Sequence, residues 1–135
     1  MIGNTQFITL KAAQAMLAAG EAEASANNWN VAITIVDIGA NLIMFQKMDG
    51  TQMGSIDVSI GKARTAANFK RPTKDMEEMI AGGRTPFLAI DGIVPIQGGV
   101  PVIINDTVIG AVGVSGVTSA QDEQVAMAAV AVVEG

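Results

Sequence analysis

The sequence predicts an α+β fold in which helices cover an antiparallel sheet. Two observations support this prediction. Apolar segments at 31–37 and 42–48, and again at 100–105 and 108–114, are joined by short runs of turn-forming residues, as in β-hairpins. Segments with the helical spacing of apolar residues precede, separate and follow these hairpins. Consecutive hairpins favour antiparallel pairing of the strands.

The predicted helices begin at residues that suit an N-cap. The first runs from Leu10 to about Asn27 with Thr9 as its cap, and a central helix spans 54–69. Thr73 is predicted to cap a short acidic helix over 74–80. Residues 81–86 are expected to be a loop.

The second half of the chain is harder to interpret. Residues 87–97 are ambiguous, with a short strand predicted over 93–97. Ser119 is predicted to cap the last helix, and Asp122 at the third helical position forms a near capping box with it. We find no linker or repeat, and 135 residues suit one domain, so we expect a single domain over 1–135.

The absence of Cys and His restricts the possible chemistry. It excludes disulfides, zinc–thiolate sites, Cys nucleophiles, Ser-His triads and His-ligated haem. Any catalysis must therefore use carboxylates, Lys, Arg, hydroxyl groups, backbone amides or a bound cofactor.

The charge and hydropathy patterns argue against nucleic acid and membrane as binding partners. Thirteen acidic against eight basic residues give a net charge of −5, which disfavours nucleic acid as a partner. The apolar runs are interrupted before the roughly 18–20 residues that a membrane span needs, and no secretory signal is visible at the N-terminus. We expect a cytoplasmic protein that binds neither nucleic acid nor membrane.

Glycines are concentrated in and around the second hairpin, at Gly98, Gly99, Gly110, Gly113 and Gly116. A glycine within a strand weakens it unless something approaches the backbone closely. One interpretation is a pocket floor on which a flat ligand lies. The other is close packing of a helix or a second subunit on the sheet.

Ser115 and Gly116 lead into the N-terminus of the last helix, where free amides and the helix dipole favour an anion. The alternative is that Ser119 and Asp122 already satisfy those amides. Lys62 and Arg64 on the central helix could bind an acidic group such as a propionate. The alternative for this pair is that both are solvated or paired helix charges.

Asp75 and Glu78 are three residues apart and share a helix face, so they could chelate a hard cation weakly. The alternative is an exposed acidic start of a helix.

Several motifs give the chain a family resemblance. Gly98-Gly99-Val100-Pro101, the run IGAVGVSG at 109–116, and Gln121-Asp122 with Ala126 resemble the GG-x-P, IGA-[IV]-GVSG and QD-x-x-x-A pattern of the GlcG/HbpS family. That family includes the C-terminal domain of the PduO cobalamin adenosyltransferases. The first hairpin and the central helix agree as well, at Val36-Asp37, Gly39, Leu42, Ser59, Lys62-Ala63 and Thr65-Ala66.

The resemblance implies a profilin-like three-layer sandwich and a homo-oligomer, often an octamer. Members of the family are linked to haem binding and degradation, to iron sensing, and to operons for glycolate or diol catabolism. This chain lacks His, so a haem would not be His-ligated, and Met, Lys or Thr could act as its axial ligand. The nearest equivalent of the family's iron-binding Glu-x-x-Glu is Asp75-x-x-Glu78.

Three functions remain possible at this stage. The favoured one is an oligomer that binds haem, a corrinoid-like molecule or another flat ligand over Gly110 and Gly113. The second is a small catabolic enzyme acting on a carboxylic or hydroxy acid, with Asp37 or Asp122 moving a proton and Lys62 or Arg64 binding the carboxylate. The third is an accessory protein whose glycine surfaces serve only assembly.

Overall fold

A four-stranded antiparallel sheet lies between two layers of helices in the computed structural model, which describes residues 1–134. The elements in chain order are α1 (Leu10–Ala26), β1 (Ala32–Asp37), β2 (Leu42–Lys47), α2 (Ser55–Phe69), α3 (Thr73–Ala81), a 3-10 helix (Thr85–Ala89), β3 (Gly99–Ile104), β4 (Thr107–Ser115) and α4 (Ser119–Glu134). The strand order is β2-β1-β4-β3. The predicted α+β sandwich and both hairpins are confirmed.

Helices α1 and α4 cover one face of the sheet. Thr9 caps α1 as predicted, because its side chain accepts a hydrogen bond from the Ala12 N–H. Gly20 of α1 lies against Ile33 of β1 and Ala129 of α4, so the absence of a side chain there lets the two helices approach closely. The apolar core of this face contains mainly Val, Ile, Ala and Met side chains.

Helix α2 covers the other face and packs across β4, β1 and β3. Its small residues Ala63, Ala66 and Ala67 form a buried cluster with the sheet. The edge strand β2 is therefore the part of this face that α2 covers least. The Thr34 and Ser59 hydroxyls, 2.9 Å apart, hold α2 to β1 in the middle of the layer.

The predicted strand over 93–97 is wrong, because no strand lies between the 3-10 helix and β3. Val94 instead contacts the bare backbone of Gly61 on α2. Its N–H donates to the Thr65 hydroxyl over 2.9 Å. This loop therefore packs against α2 through one side chain and one hydrogen bond. The spacing of apolar residues in the sequence does not reveal such a contact.

Two predicted caps are also wrong. Thr73 is the first residue of α3. Its hydroxyl donates to the Ile96 carbonyl at 2.6 Å and accepts from the Gly99 N–H at 2.8 Å. The last helix has Thr118 before its first residue. The Gln121 N–H donates to the Thr118 hydroxyl at 3.3 Å, and the Thr118 N–H donates to the Gln121 side chain at 3.2 Å. This capping box leaves Asp122 free for another role.

None of the helices within residues 1–134 combines the length and the apolar character that crossing a bilayer requires.

Candidate functional site

A buried ion pair lies beneath the middle of α2. The Lys62 Nζ is 3.0 Å from Asp122 Oδ2 of α4 and 2.9 Å from the Val114 carbonyl of β4. Both side chains are almost entirely buried. We call these residues, together with the backbone at 114–117, the Lys62 cluster. It joins α2, β4 and α4 at one point.

The Asp122 carboxylate accepts hydrogen bonds from the backbone amides at which the sequence predicts an anion site. Its Oδ1 accepts from the Val117 N–H at 3.1 Å, and the Gly116 amide also donates to this carboxylate. Burial raises the pKa of Asp122, while Lys62 and the two amides oppose that rise. The neighbouring Ser115 hydroxyl lies 3.0 Å from the buried Ser55 hydroxyl. The amides before α4 are therefore hydrogen-bonded within the protein, as the alternative interpretation of the sequence expected. Asp122 accepts these hydrogen bonds, and Ser119 takes no part in them.

The glycine cluster lies in packing contacts. A Cβ at Gly113 would overlap the backbone of α2 at Ser59 and Ala63, and one at Gly99 would overlap the Lys62 carbonyl. A Cβ at Gly98, where φ is +135°, would lie 2.7 Å from the Lys62 Nζ. A Cβ at Gly110 would overlap the Val36 carbonyl, and a Cβ at Gly116 would overlap the Asn30 carbonyl. A part for these five glycines in ligand binding stays a prediction.

An open pocket lies on the same layer as α2, beside the first hairpin. Its volume is about 230 Å³, and it is lined by Val36, Ala40, Asn41, Leu42, Ile60 and Arg64. Arg64 is exposed and is absent from both ion pairs found in residues 1–134. Of the predicted site residues, Arg64 is therefore the one that lines this open pocket, beside four apolar residues and Asn41.

A further apolar side chain of β2 lies on the side of the sheet that α2 covers. Phe45 of β2 pairs with Thr34, which faces α2, so Phe45 lies on the same side of the sheet. Phe45 and Ile60 are half-buried, and Leu42 is 57% exposed. We call the surface formed by Leu42, Phe45, Ile60 and Arg64 the Arg64 face. No sequence motif indicates that Leu42, Phe45 and Ile60 lie together. Their proximity depends on how α2 lies across the sheet.

Asp37 belongs to the turn beside this pocket. Its Oδ1 accepts the Gly39 and Asn41 N–H groups, each over 2.9 Å, which fixes the hairpin turn. Asp37 pairs with Gly110, whereas Ala32 at the other end of β1 pairs with Ser115. Roughly 15 Å of strand therefore separates Asp37 from the Lys62 cluster. The structure brings Lys62 and Asp122 together but leaves Asp37 apart from both.

Asp75 and Glu78 lie exposed on α3, and Glu78 is 4.0 Å from the Lys74 ammonium group. The part of the chain that the structure describes has no group of three or more Asp or Glu side chains arranged to hold a metal ion. The weak cation site at these two residues stays a prediction.

A second and larger pocket of about 380 Å³ lies at the opposite end of the first hairpin. It is lined by Glu21, Asn30, Gln46, Lys47, Met48 and Asp49. Two carboxylates beside one Lys make this pocket a poor match for an anionic ligand. The Arg64 face, with a cation beside apolar side chains, suits such a ligand better.

Comparison with known proteins identifies relatives over most of the chain. Residues 8–131 match the family described as haem degrading protein HbpS-like. Protein GlcG of Escherichia coli K12 is 46% identical over 103 residues, which cover 76% of this chain and 77% of GlcG.

Two solved structures have the same fold. The protein ORFY of Klebsiella pneumoniae is 38% identical, with a TM-score of 0.91 over 96% of this chain and 92% of ORFY. A double mutant of HbpS from Streptomyces reticuli is 27% identical, with a TM-score of 0.92 over 99% of this chain and 92% of HbpS.

Proposed function

Because the chain belongs to the HbpS-like family, we propose that it binds a flat apolar molecule with carboxylate arms, of the haem class, on the Arg64 face. The observation that carries this proposal is Arg64 itself. Its guanidinium group lies at a pocket whose other lining residues are uncharged, and it is absent from both ion pairs within residues 1–134.

The chemistry of the Arg64 face suits an amphipathic anion. Leu42, Phe45 and Ile60 offer apolar surface to a ring, and burying that surface stabilises the complex. The planar Arg64 guanidinium can pair with a carboxylate through two parallel hydrogen bonds. The side chain of Asn41 adds a polar group at the same rim.

Haem makes three demands on a protein: apolar surface for the ring, a cation for the propionates and a donor for the iron. The Arg64 face meets the first two demands. Its pocket residues include no thioether and no imidazole. Haem supplies a redox-active iron when bound, whereas this face by itself binds the ring and orients its carboxylates.

The size of the pocket supports a further part of the proposal, that the chain works as a homo-oligomer. A volume of about 230 Å³ is below the roughly 300–1,000 Å³ usual for small-molecule sites. One chain would therefore leave much of a tetrapyrrole in water. A second copy placed over the Arg64 face would cover the exposed side of the ring, and light scattering on the purified protein tests this assembly.

The binding proposal is tested by titrating the protein with haemin and following the Soret absorbance. We expect a shifted band that saturates with the protein. Arg64→Gln should weaken binding about fivefold, because an exposed ion pair contributes up to about 1 kcal/mol. Leu42→Glu should weaken binding further, because it replaces apolar surface with a negative charge next to an anionic ligand.

Lys11→Gln is the matched control, because Lys11 is an exposed cation on α1 in the opposite layer. It should bind haemin like the wild type. An unshifted Soret band, or equal loss of binding in the Arg64 and Lys11 variants, would rule out the proposed site.

A further inference from the structure

The two edges of the sheet, β3 and β2, differ in how their outward backbone groups are satisfied. In an antiparallel ladder, alternate residues direct their N–H and C=O groups to the neighbouring strand, and the residues between them direct theirs outward. The Val114 N–H donates to the Gly98 carbonyl at 3.0 Å. Gly99 and Pro101 of β3 therefore direct their backbone groups away from β4.

The outward residues of β3 offer no N–H to a further strand. The Gly99 N–H donates to the Thr73 hydroxyl, and the Ile103 N–H donates to the Glu134 carboxylate, each over 2.8 Å. Pro101 between them has no N–H. Proline and charged side chains at an edge are among the means by which proteins prevent sheets from pairing edge to edge. This edge is therefore closed.

The outer edge of β2 lacks this protection. The Met48 N–H donates to the Val31 carbonyl at 3.1 Å, so Phe45 and Lys47 direct their backbone groups away from β1. Within residues 1–134, neither of these two N–H groups has a hydrogen-bond acceptor. The strand contains no Pro, and Lys47 at its end is its one charged residue. An edge of this kind is a template for pairing with another strand.

We infer that β2 pairs antiparallel with β2 of a second copy of this chain, about a two-fold axis at Phe45, so that the two sheets join into one. A second copy brings the same free donors and acceptors at the matching spacing, and a two-fold contact satisfies both edges at once. The inference goes beyond the proposed function, because it requires no ligand and concerns a contact beside the Arg64 face.

The sequence of β2 suits pairing with itself in this register. Phe45 lies opposite Phe45 of the partner subunit, and aromatic pairs across neighbouring strands stabilise a sheet. Phe45 is half-buried in one chain, so the contact also removes apolar surface from water. Lys47 lies opposite Ile43 of the partner subunit. A register centred on Lys47 would instead place two ammonium groups opposite each other, which is unfavourable.

Disulfide cross-linking tests the contact directly, because the chain has no Cys of its own. In a hydrogen-bonded antiparallel pair the two Cα atoms are about 5.5 Å apart, within the roughly 4.4–6.8 Å that a disulfide spans. We expect Phe45→Cys, purified without ligand and treated with a mild oxidant, to form a covalent dimer on a non-reducing gel. Ile103→Cys is the matched control, since Ile103 is 43% exposed on the closed edge strand, and it should stay monomeric on that gel.

Hydrogen exchange of the wild type tests the contact without any substitution. The Phe45 amide should exchange more slowly as the protein concentration rises, because its N–H then donates to the second copy. The Ile103 amide already donates to Glu134, so its exchange rate should not depend on concentration.

The outcomes separate the inference from the proposed function. Fast exchange of the Phe45 amide at every concentration, or equal cross-linking of the Phe45→Cys and Ile103→Cys variants, overturns the inference. If light scattering then still shows an oligomer, the proposed homo-oligomer stands and uses another surface. A failure to bind haemin overturns the proposed ligand site and leaves the strand pairing intact, because both tests of the pairing use the protein without ligand.

Discussion

Helix α2 carries two cationic residues two positions apart, and their surroundings are opposite. Lys62 points into the core, where it contacts Asp122 and a backbone carbonyl, whereas Arg64 lies exposed at an open pocket with no other charged residue. Residues two apart point about 200° away from each other around a helix. The same segment therefore supplies a structural charge on one side and a charge available to a ligand on the other.

The largest effect expected from this contrast is on stability. Lys62→Met should lower the free energy of unfolding by about 3–5 kcal/mol, because it leaves the buried Asp122 carboxylate without its partner. Arg64→Met should change it by no more than about 0.5 kcal/mol. Urea unfolding followed by circular dichroism measures both.

The double variant Lys62→Met with Asp122→Asn serves as the control. It should recover much of the lost stability, because no uncompensated charge remains in the core. Equal effects of Lys62→Met and Arg64→Met would contradict the assignment of the two cations to different environments.

The next effect concerns the glycines that let α2 approach the sheet. Gly113→Ala should destabilise the fold by about 1–3 kcal/mol, because the new Cβ overlaps the backbone of α2. Gly54→Ala is the control, because an added Cβ there has no neighbour within 4 Å. Thermal melts of the two variants give the comparison. A fully stable Gly113→Ala variant would show that α2 and β4 can separate without cost.

A smaller effect distinguishes the two candidate caps of α4. Thr118→Ala should cost about 1 kcal/mol, because it removes the hydroxyl that accepts the Gln121 N–H beside the Lys62 cluster. Ser119→Ala should cost much less, since Ser119 is already the first helical residue. The reverse order of stabilities, measured by denaturant unfolding, would restore Ser119 as the cap.

The smallest effect is a dependence of stability on pH. Burial raises the pKa of Asp122, so the folded chain holds this proton more tightly than the unfolded chain. Its contribution to stability is therefore present below the ordinary value of 3.8 and is lost as the pH rises through the folded-state pKa. The Asp122→Asn variant should lack this decline, and unfolding at a series of pH values reveals whether the two curves diverge.

Most of the fold followed from patterns within short segments. Both hairpins, α1 with its Thr9 cap, and the extent of α2 are local features, and each is found within a residue or two of its predicted bounds. The short strand over 93–97 was wrong because an apolar run near prolines looks the same whether it pairs or packs. Val94 packs against Gly61, a contact between segments far apart in the chain.

The candidate site was less accessible to sequence reasoning. Lys62 and Arg64 looked equivalent, since the sequence does not state which side of α2 faces the sheet. The burial of Lys62 depends on Asp122, which lies sixty residues further along the chain. Leu42 and Phe45 belong to the apolar segment 42–48 and Ile60 to the central helix, and neither pattern shows how much of a side chain stays uncovered. These three side chains are only partly covered because α2 lies over β4, β1 and β3 and leaves β2 at an open edge.

Methyl NMR of the protein titrated with protoporphyrin IX most directly tests whether a ligand binds at Arg64 on the exposed side of α2. The methyl groups of Leu42 and Ile60 should shift as the pigment binds, whereas those of Val114 and Val117 in the Lys62 cluster should stay in place. Shifts centred on Val114 and Val117, with Leu42 and Ile60 unmoved, would contradict the account and locate the ligand at the glycine-rich end of β4.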